Sequence, residues 1–331
     1  MKPIALTVGM GIGPEICIKA LESFQHSTIL LSRKGTLVNA LRQMGLNWNH
    51  LWEFPLVQVV EFEDGDEPAE VQAIRIATEM CLSNQTSAMV TGPISKSVLM
   101  DQGFEFAGHT GYLGHLCGVS NPVMAFSGGR YQVVLVTTHI PLNTVASSLT
   151  IEGIVHTVQT AHQAWRDRGE SVRFAICGLN PHAGESGKLG GEDVSIVQPA
   201  CEILRRSGVS VTDVVSSETA FLMARDGKVD VVVAMYHDQG LTPLKLVDFG
   251  QSVNWTLGLP IVRTSVDHGT ADAIVGKGCA NPSSLIAAWT LAREIASQRV
   301  VSDTSSQRNS PPIQGSRVKE RDPISQASVR L

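Results

Sequence analysis

Short apolar runs alternate with longer segments of mixed polarity along most of this chain. The apolar runs contain few polar positions, which is typical of parallel strands that are covered on both faces. They lie at Ile4–Val8, Ile29–Ser32, Val57–Phe62, Ser87–Thr91, Tyr131–Thr137, Phe174–Leu179 and Val229–Met235. Segments between them, such as Ala69–Ser83 and Ile151–Arg168, place apolar residues at helical spacing. This alternation of strands and helices predicts an α/β fold.

The last of these strands is followed by a high density of polar and titratable side chains. They are Tyr236, His237, Asp238, Gln239, Lys245, Asn254, Arg263, Asp267 and His268. Because open α/β sheets bind ligands outside the carboxyl ends of their strands, we predict that residues 234–270 form one wall of an active site. Lys245 and Arg263 would hold an anionic group of the substrate. Alternatively, Arg263 pairs with Asp267 and only stiffens the loop.

Three of the predicted strands each deliver a histidine close to the carboxyl end. These histidines are His139, His182 and His237. Neutral imidazole is a good ligand for a divalent metal that keeps an open coordination position. The spacing is also compatible with three independent structural roles, so the pattern supports both interpretations. Asp238 would orient a ligand or accept a hydrogen bond from one.

Three further segments also have two interpretations each. The glycine-rich turn at 9–16 could approach a phosphate, or it could simply join a strand to a helix. Lys96 follows a strand end and could meet an anion, but a lone lysine is more often a solvated helix residue. The pair His109 and Thr110 could bind an anion, or Thr110 could cap the following helix.

Composition excludes several classes of protein. The chain has 331 residues, enough for two lobes, with 43% hydrophobic and 17% charged residues, as in a globular enzyme. A formal net charge of −5 argues against a nucleic-acid or membrane surface, and no apolar run approaches the roughly 20 residues that span a bilayer. Six cysteines without a CxxC pair predict free thiols and a cytoplasmic location. The composition of residues 302–331 predicts a disordered tail.

Five ordered motifs resemble the 4-hydroxythreonine-4-phosphate dehydrogenase family of pyridoxal phosphate biosynthesis. They are GHT (108–110), TTHIPL (137–142), GLNPHAGESGKLGGED (178–193), MYHDQG (235–240) and VNWTLGLPIVRTSVDHGT (253–270). The resemblance implies the two-lobed α/β fold of the isocitrate and isopropylmalate dehydrogenases, with the active site in the interlobe cleft. One lobe would comprise residues 1–107 and 270–301, and the other would comprise residues 108–269 with the dimer interface.

The resemblance also implies a reaction and its site residues. The reaction is an NAD-dependent, divalent-metal-assisted oxidation of 4-phosphooxy-threonine, followed by decarboxylation to 3-amino-2-oxopropyl phosphate. The metal (Zn, Mg or Co) would be held by His139, His182 and His237 in a site shared by the two subunits of a homodimer. We therefore expect activity to return when His139→Ala and His237→Ala protomers are mixed. Substrate binding would fall to His109, Thr110, Lys245, Asn254 and Arg263, and catalysis to Asp238 and Lys245.

The sequence departs from the family pattern at Met10, Gly111 and Glu218. The family generally has an Asp-Pro-containing first loop, a glutamate after the His-Thr pair, and Asp-Thr in place of Glu218-Thr219. Because each change lies near the expected substrate or cofactor, two other substrate classes are compatible with the pattern. They are the four-carbon acid-sugar phosphates, erythronate or threonate 4-phosphate, and the dihydrodiol dicarboxylates. A catalytically silent binding protein is a third alternative, which the retained histidines disfavour.

Overall fold

The computed structural model describes residues 1–62, 67–104, 106, 108–248 and 250–308. The strands in this part of the chain are β1 (Ile4–Thr7), β2 (Thr28–Ser32), β3 (Val57–Glu61), β4 (Ala88–Thr91), β5 (Val123–Ser127), β6 (Gln132–Leu135), β7 (Phe174–Cys177), β8 (Val211–Val215), β9 (Val231–Ala234), β10 (Val253–Leu257) and β11 (Arg263–Val266). The α-helices are α1 (Gly13–Ala20), α2 (Lys34–Gln43), α3 (Ala69–Leu82), α4 (Lys96–Asp101), α5 (His109–Cys117), α6 (Val145–Ser148), α7 (Ile151–Asp167), α8 (Gln198–Arg206), α9 (Ser217–Arg225), α10 (His237–Asp248) and α11 (Ser283–Arg308).

All these strands form one sheet, in the order β3-β2-β1-β4-β11-β10-β5-β6-β9-β7-β8. The strands from β3 to β11 in this order are parallel to one another. Strand β10 is antiparallel to both β11 and β5, and β5 is antiparallel to β6. Strands β6, β9, β7 and β8 are again mutually parallel. The sheet therefore has two parallel halves that run in opposite directions.

Both faces of the sheet are covered by helices. In β9, Val231 and Val233 pack into one buried cluster, while Val232 and Ala234 pack into another on the opposite face. Helices α1, α2, α7, α8 and α11 contribute buried residues to the first face, and α3, α4, α5, α9 and α10 contribute to the second. A strand covered on both sides needs apolar residues at every position, which explains the continuous apolar runs of the sequence.

Helix α11 anchors the carboxyl-terminal part of the chain to the first strands. Trp289 is 1% exposed and stacks on Phe24 with ring centroids 5.0 Å apart. Its Nε1 donates a hydrogen bond to Thr28 Oγ1 at 3.0 Å. Ala288 precedes Trp289 in α11, and its carbonyl oxygen accepts a hydrogen bond from Oγ1 of Thr264 in β11 at 2.8 Å. Residues from both ends of the chain therefore share one core.

The sequence located seven of these strands but missed β5, β8, β10 and β11. Helix α11 extends to Arg308. The predicted disordered tail therefore begins within a helix, and residues 309–331 lie outside the described residues. The division of the chain into two lobes also stays a prediction. Strands β10 and β11, which this division assigns to the second lobe, lie at the centre of the single sheet. In the described part of the chain, no helix is both long and apolar enough to cross a bilayer.

We predict that Trp289→Ala destabilises the protein strongly because it leaves a cavity beside Phe24 and removes the partner of Thr28. Truncation of a buried tryptophan lowers the free energy of unfolding by about 3–5 kcal/mol. Trp52, which is 75% exposed, provides the matched control, and Trp52→Ala should change this free energy by less than about 0.5 kcal/mol. Urea unfolding followed by circular dichroism measures both. Equal losses in the two variants would contradict the assigned role of Trp289.

Candidate active site

A cleft of about 1060 Å³ lies between segments that follow strands of both halves of the sheet. From the first half, residues 92–94 and Lys96 follow β4, and residues 267–269 follow β11. From the second half, residues 138–140 follow β6, and His237 follows β9. Neighbouring strands are twisted by roughly 20–25° relative to one another, and this twist accumulates across the sheet. Segments that follow the carboxyl ends of oppositely directed strands can therefore meet in one cleft.

Most of the site residues predicted from the sequence line this cleft. They are His109, Thr110, His139, His237, Lys245, Asn254 and Arg263. Asp238 contacts one of these residues from outside the lining, and His182 lies elsewhere. The structure therefore brings seven of the predicted site residues together in one cleft and shows which side chains contact one another within it.

Two of the predicted metal ligands lie side by side in the cleft. The ring centroids of His139 and His237 are 5.5 Å apart. Nδ1 of His237 is 2.6 Å from the carboxylate of Asp238, which leaves Nε2 of that ring available to a ligand. Partial burial, with the charges of Lys96 and His237, lowers the pKa of His139 and favours its neutral, ligating form. The donor set fits two ligands of a divalent metal.

The third predicted ligand, His182, is exposed on the turn Pro181–Gly187 that follows β7. In the described part of one chain, no group of three His, Cys, Asp or Glu side chains is placed to hold a metal ion. A single chain thus brings together two of the three predicted ligands. The expectation that mixed His139→Ala and His237→Ala protomers regain activity is wrong, because these two rings belong to the same half-site.

The turn that carries His182 has an unusual backbone. Five successive residues, 182–186, have φ values between 44° and 78°, and four of them are not glycine. The buried carboxylate of Asp193 fixes the start of this turn by accepting hydrogen bonds from the backbone N–H groups of Leu179 at 2.7 Å and Asn180 at 3.1 Å. The sequence did not indicate this role of Asp193, because a hydrogen-bond partner within a loop cannot be read from residue spacing.

Arg263 is buried in the centre of the sheet, and no carboxylate of the described residues pairs with it. Its Nη1 donates to Thr256 Oγ1 at 2.9 Å and its Nη2 to Thr91 Oγ1 at 2.6 Å, while Nε has no partner in the part of the chain that the structure describes. Burial lowers the pKa of this guanidinium to about 9, so it is still charged at pH 7. The alternative interpretation, in which Arg263 pairs with Asp267, is wrong for this structure. An uncompensated buried cation in a cleft is suited to bind an anion.

Several other polar atoms of the cleft are buried and have no hydrogen-bond partner among the residues that the structure describes. They are Nε2 of His109, Oδ1 of Asn254 and Nε2 of His268. Burial, followed by the charges of Arg263 and Lys96, lowers the pKa of His109 well below its usual value. Unpaired buried polar atoms are rare in folded proteins. Their concentration here indicates that a polar ligand completes their hydrogen bonds.

Lys245 is held by an acidic partner at the cleft wall. Its Nζ is 2.9 Å from the Asp267 carboxylate, which also accepts a hydrogen bond from the Ser252 hydroxyl. Asp267 is therefore the partner of Lys245. The pair fixes the Lys245 ammonium at the cleft wall, where it can donate to a ligand.

The glycine-rich first loop uses its backbone N–H groups within the protein. Met10 N donates to Pro93 O at 2.7 Å and Ile12 N donates to Thr270 O at 2.9 Å. Gly11 has φ +60°, and a Cβ there would lie 2.2 Å from Thr270 O. These contacts favour the interpretation as a tight strand-to-helix turn over the interpretation as a phosphate loop.

The three departures from the family pattern occupy different environments. Gly111 lines the cleft, and the atom nearest to an added Cβ belongs to Phe106 at 3.9 Å. Met10 accepts a hydrogen bond through Sδ from the Ser95 N–H at 3.4 Å. Glu218 is exposed in the first turn of α9. Of these three positions, Gly111 is the one that lines the cleft, and glycine occupies less volume there than the glutamate of the family pattern.

The chain is similar to known proteins over most of its length. Residues 22–292 match the family model described as Pyridoxal phosphate biosynthetic protein PdxA. The 4-hydroxythreonine-4-phosphate dehydrogenase of Sulfurihydrogenibium sp. (strain YO3AOP1) is 38% identical, over 88% of this chain and 98% of its own length. The enzyme of the same name from Chromobacterium violaceum is 42% identical, over 88% of this chain and 96% of its own length.

Solved structures show the same relationship. A 4-hydroxythreonine-4-phosphate dehydrogenase from Klebsiella pneumoniae has a TM-score of 0.78 and 35% identity, covering 89% of this chain and 98% of its own. A terephthalate 1,2-cis-dihydrodiol dehydrogenase from Burkholderia xenovorans LB400 has a TM-score of 0.61 and 26% identity, covering 88% and 98%. An isocitrate dehydrogenase from Methylococcus capsulatus, at 16% identity and a TM-score of 0.51, covers 93% and 89% and shares the fold. The predicted fold class is therefore confirmed.

We predict that His109 makes the stability of the protein depend on pH. Because its pKa is lowered in the folded state, the unfolded chain binds one proton more as pH falls below about 6.5. The stabilisation is complete above that pH and is lost as pH falls towards the folded pKa. Between pH 6.5 and pH 5, the free energy of unfolding of the wild type should therefore fall more steeply than that of His109→Gln, by up to about 1.4 kcal/mol per pH unit.

Urea unfolding at several pH values measures this difference, and circular dichroism at pH 8 checks that the variant has the native fold. Parallel stability curves for the two proteins would show that His109 is hydrated in the folded state.

Proposed function

The chain belongs to the family of the pyridoxal phosphate biosynthetic protein PdxA, and we propose that it oxidises 4-phosphooxy-threonine with NAD. Members of this family are dehydrogenases, so the chain is an oxidoreductase that acts on a CH–OH group. The proposed reaction converts the secondary alcohol to a ketone, reduces NAD and releases a proton. The resulting β-keto acid then loses carbon dioxide to give 3-amino-2-oxopropyl phosphate. We also propose a homodimer in the cytoplasm.

The observation that best supports a phosphorylated substrate is the uncompensated charge of Arg263. Arg263 is 1% exposed, and its guanidinium donates hydrogen bonds to two threonine hydroxyls. No carboxylate in the described residues neutralises its charge. The neutral His109 lies close enough for the Arg263 charge to lower its pKa, and its Nε2 has no partner. A phosphate group bound here would accept hydrogen bonds from both side chains.

The histidine pair supports a divalent metal at the other part of the cleft. His139 and His237 would supply two ligands, and the partner's His182 would supply the third in a dimer. Asp238 acts through His237, so we assign it as a positioning residue and not as a group that touches the substrate. When bound, the metal would supply a Lewis acid that favours ionisation of the substrate hydroxyl.

NAD, when bound, would supply the hydride acceptor. Among the chain's own groups, Lys245 is suited to hold an anionic oxygen of the substrate, because Asp267 keeps its Nζ at the cleft wall. Asn254, whose Oδ1 has no partner, can accept a hydrogen bond from the substrate's ammonium or hydroxyl group. These two residues would orient the substrate between the phosphate site and the histidine pair.

One observation favours a second substrate class. Gly111 leaves open space and adds no negative charge beside the cations of the cleft. A substrate without an ammonium group, such as erythronate or threonate 4-phosphate, or a bulkier dihydrodiol dicarboxylate, would gain from both properties. These compounds belong in the same assay as 4-phosphooxy-threonine.

The assay measures NADH formation by the purified protein with NAD, a divalent metal and each candidate acid. We expect 4-phosphooxy-threonine to yield NADH and carbon dioxide in equal amounts, and a chelator to abolish both. NADH production from another acid alone would replace the proposed substrate. The absence of NADH with every acid would support the catalytically silent alternative.

The role of Arg263 is tested with Arg263→Met, which removes the charge and keeps much of the volume. A charge-assisted hydrogen bond contributes about 1.5–3 kcal/mol, so discrimination between phosphorylated and unphosphorylated substrate should fall roughly ten- to a hundredfold. Arg225→Met, at an exposed arginine that pairs with Asp226, is the matched control and should keep the ratio. An unchanged ratio in Arg263→Met would exclude a phosphate-binding role.

Subunit mixing tests the shared metal site. His182→Ala mixed with His139→Ala should regain activity, because one site of each mixed dimer has His139 and His237 from one chain and His182 from the other. With random exchange, half of the dimers are mixed and each has one intact site, so roughly a quarter of the wild-type activity should return.

The matched control is His139→Ala mixed with His237→Ala, in which every site lacks one ligand. This mixture should stay inactive after verified exchange. Recovery in the control, or its absence with His182→Ala, would show that the histidines are distributed differently between the subunits.

A further inference from the structure

Lys96 has a fixed backbone position at the wall of the cleft. It is the first residue of α4, directly after the turn that leaves β4. In that turn, Gly92 N donates to Thr7 O at 2.9 Å, and Pro93 O accepts from Met10 N at 2.7 Å. The base of the Lys96 side chain is therefore held by the same contacts that shape the first loop.

The side chain of Lys96 crosses the amino-terminal end of α5. A Cβ added at Gly108 would lie 3.0 Å from Lys96 Cε and 3.6 Å from Nζ. Gly108 is the N-cap residue of α5 and has φ +154°, which glycine adopts without steric penalty. Because a side chain at position 108 would displace it, the lysine stem depends on this glycine to reach the cleft.

The charge of Lys96 has no acidic partner among the described residues. Its ammonium makes none of the ion pairs or hydrogen bonds found in that part of the chain. Lys96 lines the same cleft as His109, Arg263 and His139. Its Nζ lies beside Gly108, the residue that precedes His109, so the ammonium is placed next to the amino-terminal turn of α5. The cleft thus contains the cations Lys96 and Arg263 together with the histidine pair.

We infer that Lys96 is a further substrate-binding residue, whose ammonium contacts the phosphate oxygens on the side that faces His139 and His237. Lys96, Arg263 and the positive end of the α5 dipole repel one another in the free protein, and a doubly charged phosphate relieves this repulsion. The inference rests on the proposed phosphorylated substrate. The alternative is that Lys96 is a solvated lysine at a helix start without a role in binding.

Inorganic phosphate is the probe that tests this inference independently of the natural substrate. Calorimetry compares its binding to the wild-type protein, Lys96→Met, Lys96→Arg and Lys228→Met. Lys228 is an exposed lysine before β9, at the amino end of that strand, and provides the matched control. We expect Lys96→Met to weaken phosphate binding roughly ten- to a hundredfold, Lys96→Arg to restore most of it, and Lys228→Met to leave it unchanged.

Steady-state kinetics separate the role of Lys96 from the proposed function. With 4-phosphooxy-threonine, Lys96→Met should raise KM for this acid by a similar factor and leave KM for NAD unchanged. If phosphate binding and KM are both as in the wild type, Lys96 is a solvated residue and the inference is wrong. If the wild type does not oxidise this acid but binds phosphate in a Lys96-dependent manner, the proposed function is wrong and the Lys96 site stands.

Discussion

The buried guanidinium of Arg263 is the constraint on which the site depends. Removing a charge from water without a counter-charge costs several kcal/mol, which a folded chain accepts only where the surrounding core is large. Here two threonine hydroxyls satisfy part of the hydrogen-bonding capacity, and Nε has no partner. The protein therefore holds a positive potential inside the cleft that water screens poorly. Such a potential attracts anions and raises their local concentration.

The strand order explains how this arginine is held. Strand β11 lies between β4 and β10, so Arg263 can reach a hydroxyl on each neighbour. Thr256 of β10 is its direct cross-strand partner, and Thr91 of β4 lies two positions beyond Met89, its register partner on that side. The central position of β11 thus places the cation where the two halves of the sheet meet. A position at an edge strand would have exposed it to solvent.

Much of this fold could be predicted from the sequence because its strands are buried on both faces. Continuous apolar runs identified β1, β7 and β9, and the polar stretch after β9 identified one wall of the cleft. Strands β10 and β11 escaped prediction because polar residues interrupt them, and three of these residues, Asn254, Arg263 and Ser265, line the cleft. Whether Lys96, Lys245 and Arg263 have acidic partners was also beyond prediction, since the presence or absence of an ion pair depends on contacts between distant segments. The position of Lys96 after a strand end indicated a possible role in the site. A single lysine at a helix start is more often solvated, so the sequence favoured that interpretation.

The turn that carries His182 supports the proposal that this histidine, which lies outside the cleft of its own chain, belongs to the site of a dimer. Non-glycine residues in the left-handed region cost about 1–2 kcal/mol each, and four of the five successive residues here are of this kind. Such a conformation persists only where neighbouring contacts determine it, and the Asp193 carboxylate supplies them at the start of the turn. The start of the turn therefore has a fixed backbone, and the side chain of His182 is exposed. A rigid, exposed ligand is of little use within its own chain but is suited to a site that a second chain completes.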